Sequence, residues 1–156
     1  MAMELHVFSD RRLNAVGEWQ RAMEAEGYAL RLAGDVDLPT ASGFLPAQLD
    51  GQPTGFECFH DDAKGAMSFL GESLFPHPWA YALGFRWRGG NFDELQAAWM
   101  AATAYAAATG GIIFDHEEGR VFTAQQGREV VAKIVRDRPR TEALIADIVR
   151  KLAKGA

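Results

Sequence analysis

Glu57, Cys58, His60, Asp61 and Asp62 form the richest collection of titratable and nucleophilic groups in the chain. A thiol near an imidazole can act as nucleophile and base. In an extended segment, however, Phe56, Cys58 and His60 share one face, and Glu57 and Phe59 share the other. Cys58 therefore sits beside a phenyl ring, and a lone cysteine on an apolar face is a buried, inert thiol. His60, Asp61, His116, Glu117 and Glu118 are types that suit zinc, iron or manganese. None shows a strong local spacing such as His-Glu-x-x-His, and Asp115-His116-Glu117-Glu118-Gly119 reads as a polar hairpin turn. His77, between Pro76 and Pro78, reads as a loop residue. The expectation is no catalytic residue, no metal and no cofactor.

The distribution of charge points elsewhere. Up to Pro78 the chain has 12 acidic and 5 basic residues, and from Trp79 onward 9 acidic and 11 basic. Asp35, Asp37, Asp50, Glu57, Asp61 and Asp62 follow one another with no Lys or Arg between them. The net charge of -5 argues against general nucleic-acid binding, which rests on phosphate neutralisation. An acidic face steers a basic partner instead. Asp50, Glu57, Asp61 and Asp62 are the electrostatic candidates for such a contact. Phe59, Trp79 and Trp87 are the candidate anchors, because aromatic side chains dominate interface energetics.

A third constellation is Arg86-Trp87-Arg88-Gly89-Gly90-Asn91, where a strand runs through glycines into a helix. A helix N-terminus preceded by glycines can hold an anion. The order strand, glycine turn, helix, strand resembles the cofactor-binding centre of GNAT-type acetyltransferases. Arg86 and Gly89 match that family's Arg/Gln-x-x-Gly-x-Gly/Ala pattern, whereas Asn91 stands in the third position. The resemblance implies, as the alternative function, a small-molecule-binding or acyltransferase-like domain with an anion site at Gly89-Gly90-Asn91.

The elements that must position these groups follow from periodicity and punctuation. Alternation predicts a strand over Glu4–Phe8, with Leu5 and Val7 on one face. Ser9 reads as an N-cap, and Leu13, Val16, Trp19 or Met23, and Gln20 follow at helical spacing, with Gly27 as the stop. Tyr28–Leu32 is a second strand. Gly43–Gln48 and Thr54–His60 form a hairpin around Asp50-Gly51. Asp61–Pro78, with two glycines and two prolines, reads as the longest loop. Trp79–Arg88 is a strand whose odd positions Trp79, Tyr81, Leu83, Phe85 and Trp87 line one face, as core, ligand cleft or partner surface. Asn91 and Glu94 form a capping-box-like start to an alanine-rich helix ending at Gly110-Gly111. A strand Ile112–Asp115 and a returning strand Arg120–Thr123 follow. Helices at Gln125–Val135 and Thr141–Lys154 are separated at Pro139.

That order predicts one α+β domain over 1–156, with a mostly antiparallel sheet of about five strands and helices mainly on one face. Its 156 residues and 48% apolar content suffice for a core without staples, and one cysteine excludes an intramolecular disulfide framework. No signal peptide is read at the N-terminus. The uncharged stretch Leu95–Phe114 is too rich in alanine, glycine and polar residues for a membrane span. A cytoplasmic protein is expected.

The layout resembles the small acidic immunity proteins encoded beside bacterial toxins. Glu4–Phe8, Gly43-Phe44-Leu45-Pro46 through Gly55-Phe56-Glu57, and Thr109-Gly110-Gly111-Ile112-Ile113-Phe114-Asp115 carry the resemblance. It implies a bacterial, non-enzymatic inhibitor that binds one cognate toxin; the charge and the absence of an apolar span make neither nucleic acid nor membrane the expected partner.

Overall fold

A computed structural model describes residues 2–155 of the chain. The strands are β1 (Ala2–Ser9), β2 (Leu30–Leu32), β3 (Ser42–Leu49), β4 (Gln52–Asp61), β5 (Tyr81–Arg88), β6 (Ile112–Asp115) and β7 (Arg120–Phe122). The helices are α1 (Val16–Glu26), α2 (Ala63–Leu70), α3 (Phe92–Thr109) and α4 (Ala124–Gly155). All seven strands join one antiparallel sheet in the order β2-β3-β4-β5-β1-β6-β7. The fold is α+β, as expected. The sheet holds seven strands rather than about five, because the three-residue edge strands β2 and β7, both read from the sequence, join the same sheet as the longer ones.

Helices α1, α3 and α4 pack over one face, and the main core lies there. Within α3, 13 of 18 residues are buried. Its alanines let it lie between the sheet, α1 and α4. At Gly127 of α4, a Cβ would lie 2.7 Å from Thr103 Oγ1 and 2.8 Å from Ile113 Cδ1, so glycine permits that approach. Helix α2 covers part of the opposite face, over Phe8, Ala82 and Phe114.

Asp50 and Gly51 take φ values of 51° and 80°, and Leu49 pairs directly with Gln52. This is the two-residue turn that Asp-Gly favours. Edge strand β2 is closed by a side chain: Gln20 Nε2 donates to the Leu30 carbonyl, and the Leu32 amide donates to Gln20 Oε1. An otherwise open edge is thereby covered.

Four boundaries differ from the sequence reading. Ser9 belongs to β1 and donates its hydroxyl to the Arg11 carbonyl, while α1 begins at Val16. Part of the expected loop after Asp61 is α2, capped by Asp62 Oδ2, which accepts from the Gly65 amide at 2.9 Å. Strand β5 starts at Tyr81 rather than Trp79. Pro78 precedes this region, and the Ala80 amide donates to Asp10 rather than to a neighbouring strand. Lastly, α4 runs through Pro139 as one helix. Arg138 ties that point to Asp93, Gln96 and Glu142, and the Thr141 hydroxyl donates to the Asp137 carbonyl. These bonds hold the turn that proline weakens. Beyond it, Leu144, Ile145, Ile148, Val149 and Leu152 are exposed. No helix among the described residues is long and apolar enough to cross a membrane.

Candidate functional site

The sheet register lines up side chains on the face that α2 leaves partly open. Phe44, Glu57, Arg86 and Glu4 form one row across β3, β4, β5 and β1. Ser42, Phe59, Gly84, His6 and Phe114 form the next, reaching β6, and Asp61, Ala82 and Phe8 form a third. The Phe59 ring lies over Gly84, where any Cβ would collide with it. The Arg86 guanidinium sits 5.0 Å from the centroid of that ring and 3.6 Å from Glu4 Oε1.

At the centre of this face is a polar chain. Asp61 Oδ2 lies 3.1 Å from His6 Nε2, and His6 Nδ1 lies 2.7 Å from His116 Nε2. A carboxylate only accepts, so His6 Nε2–H donates to Asp61 and the Nδ1 lone pair faces His116. The small Gly84 and Ala82 of the intervening strand let Asp61 of β4 reach over β5 to β1. Phe8 stacks on His6, Phe59 meets it edge-on and Phe114 meets His116 edge-on. Burial, helped by the neighbouring His116, pulls the His6 pKa below the ordinary imidazole value, against the hydrogen bond that His6 donates to Asp61.

His6 is buried, while Glu4, His116 and Phe59 are half-buried and Asp61 is exposed. Among the described residues no nucleophile joins this row of polar groups: Ser9 is committed to Arg11, and Cys58 points to the other face. The arrangement can hold a proton or a cation between His6 and His116, and it presents carboxylates and aromatic rings to a partner.

Sequence reasoning missed Glu4 and His6. Their shared parity on β1 was legible, but His116 is 110 positions and Asp61 55 positions from His6. A mid-strand histidine on a face with a glutamate was the available signal.

The other candidates are distributed as follows. Glu57, Phe59 and Asp61 lie together on the open face, and Asp62 is beside them at the start of α2. Asp50 occupies the turn at the other end of β4, about 30 Å away at about 3.3 Å per residue. The six acids therefore do not form one patch. The loop carrying Asp35 and Asp37 is drawn to the Asp61 end, where His60 Nε2 donates to the Leu38 carbonyl at 2.8 Å.

Trp87 is corrected as an anchor. It is 4% exposed and packs in the main core with Leu83 and Phe85. Trp79, which precedes β5, instead packs half-buried against the small cluster under α2. The tryptophans do not share a stripe, because the extended alternation begins only at Tyr81.

The helix start after Gly89-Gly90 is filled by the protein's own groups. Asn91 Oδ1 accepts from the Glu94 amide, and Glu94 accepts from both the Arg88 amide and the Arg88 guanidinium. Asp93 is paired with Arg138. Two carboxylates in the first turn satisfy the helix dipole and repel an incoming anion. His77 holds Asp10, with Nε2 and Oδ2 2.6 Å apart, and that hydrogen bond keeps the Asp10 carboxyl below its usual range.

Cys58 is fully buried between Gly43 and Phe85, and burial pushes its thiol up to about 12. The thiolate is the reactive form. The folded protein is therefore expected to resist an aromatic disulfide reagent at neutral pH and to react promptly once denatured. Rapid labelling of the native state, followed by absorbance, would show the thiol to be accessible.

A scan against protein-family models and a search of curated proteins return no match for this chain.

Proposed function

We propose that this chain is a non-enzymatic immunity-type protein that binds and inhibits a cognate bacterial toxin through the open face of its sheet. The observation that carries the reading is the placement of Phe44 and Phe59 among Glu57, Asp61 and Asp62 on that face. Phe44 is 60% exposed. Among the described residues, no basic side chain lies within ion-pair distance of Asp35, Asp37, Asp50, Glu57 or Asp62. Apolar rings rimmed by Glu57, Asp61 and Asp62, with the Arg86 cation over Phe59 among them, suit a basic protein surface. The charges set encounter rate and orientation, and the rings set how slowly the complex separates.

The test uses the product of the neighbouring reading frame as partner. Glu57→Lys removes one negative charge and adds a positive one at the centre of the face. It is expected to slow association about tenfold at low salt, with the difference shrinking as salt rises. Phe44→Ala and Phe59→Ala are expected to speed dissociation. Glu129→Lys, on the exposed side of α4, serves as the control and leaves both rates unchanged. Stopped-flow binding and circular dichroism check rates and folding. Failure of the neighbouring product to bind, or equal rates for Glu57→Lys and wild type, overturns the proposal.

A further inference from the structure

We infer that Glu4, His6 and His116 form a binding site for a divalent transition-metal ion of the zinc class, with Asp61 orienting His6 from behind. One nitrogen from each histidine and one Glu4 carboxylate oxygen lie within 4.8 Å of one another. Two imidazoles and a carboxylate are a donor set for zinc and its neighbours in the first transition row.

The backbone assembles this set. Glu4 and His6 are two residues apart on β1, so their side chains leave the same face. The turn after β6 places His116 beside them, because the His116 amide donates to the Glu4 carbonyl at 3.3 Å.

The feature that separates a metal site from a chance pair of histidines is Asp61. A metal-bound histidine donates its remaining N–H to a carboxylate or carbonyl, which fixes its tautomer. His6 does this: Nε2 faces Asp61 at 3.1 Å and Nδ1 is turned to the cluster. Phe8, Phe59 and Phe114 wall the two imidazoles and lower the local polarity. Asp61 and Glu4 supply two negative charges, with Arg86 at 3.6 Å from one Glu4 oxygen as the nearby positive one. A carboxylate has two oxygens, so Glu4 can face Arg86 and still offer an oxygen to the metal.

The present 2.7 Å between His6 Nδ1 and His116 Nε2 is the length of a hydrogen bond. Metal–nitrogen bonds of about 2.0–2.1 Å at tetrahedral angles need the nitrogens about 3.3 Å apart. His116, half-buried on its turn, supplies that opening by side-chain rotation, whereas His6 is held by Asp61 and its packing. With three protein ligands the ion keeps at least one position for water or a partner's side chain. This site stands independently of the toxin-binding proposal.

The experiment titrates the metal-stripped full chain with Zn2+ in a non-chelating buffer by calorimetry, and with Co2+ by visible absorbance. Wild type is expected to bind one ion per chain with micromolar or tighter affinity and to show tetrahedral Co2+ bands. His116→Ala and Glu4→Gln, both at half-buried positions, are expected to fold and to lose those bands. Asp61→Asn is expected to weaken Zn2+ binding about 10–100-fold, as loss of an orienting carboxylate does. His77→Ala is expected to leave binding unchanged, and circular dichroism checks that each variant folds. Absence of stoichiometric binding by wild type overturns the inference. Binding that survives in folded His116→Ala and Glu4→Gln, or that disappears with His77→Ala, also overturns it.

Discussion

Replacing Trp19 with alanine is expected to destabilise the fold by about 3–5 kcal/mol, the range for removing a large buried aromatic side chain. Trp19 is fully buried and joins three elements. Its ring meets Phe56 of β4 at 6.2 Å, Phe85 of β5 at 5.9 Å and Tyr105 of α3 at 5.3 Å, each edge-on. Its indole N–H donates to the Ala101 carbonyl at 2.9 Å. Removing it opens a cavity between α1, α3 and the sheet, and nearby alanines have no side-chain length with which to fill it. Domains of this kind retain about 5–15 kcal/mol in total, so the loss is a large part of the whole. Urea unfolding followed by far-ultraviolet circular dichroism measures it. Trp19→Phe, which keeps a ring but loses the hydrogen bond, is expected to fall between wild type and Trp19→Ala. A loss under about 1 kcal/mol for Trp19→Ala would mean that α1 is not anchored through this residue.

The second large effect is expected at Gly111, and the adjacent Gly110 supplies the contrast. Gly110 ends α3 with φ 72°, a left-handed conformation, but a Cβ there meets nothing within 4 Å. Gly110→Ala therefore costs only backbone strain, about 1–2 kcal/mol. At Gly111 the obstacle is spatial. A Cβ would run into the Phe8 carbonyl and lie 3.0 Å from Ser9 Cβ. Strand β1 is hydrogen-bonded on both sides, to β5 and β6, and cannot retreat. Gly111→Ala is expected to cost at least the upper part of the usual overpacking range, about 1–3 kcal/mol. Urea midpoints should place Gly111→Ala below Gly110→Ala. The reverse order would show that the β1–β6 junction tolerates the added methyl group.

Both residues bear on the open face. Trp19 supports β4 and β5 from behind, and Gly111 sets the start of β6, which leads to His116. Loosening either one shifts the rows that bring Glu57, Phe59, Asp61 and His6 together.

Local structure was legible from residue types wherever one of them satisfies a backbone requirement. Asp50-Gly51 supplied the tight turn, Asn91 the cap of α3, and Gly27 and Gly110 the helix ends. The uncharged run after Glu94 marked the buried helix, because charges are excluded from a surface packed on three sides. Parity along β4 and β1 separated the Cys58 face from the Glu57 face.

Tertiary structure decided what periodicity could not reach. Whether Trp79 and Trp87 share a face depended on where β5 begins, and the Asp10 contact with Ala80 settles that from 70 positions away. Whether Pro139 breaks a helix depended on Arg138 being held by Asp93 and Gln96 of α3. The Asp61–His6–His116 chain depended on strand order, which places β1 between β5 and β6. Local propensities act over a few residues through backbone torsions and hydrogen bonds. Strand order is chosen by the burial of whole faces, so the sites it assembles leave no mark at short sequence spacing.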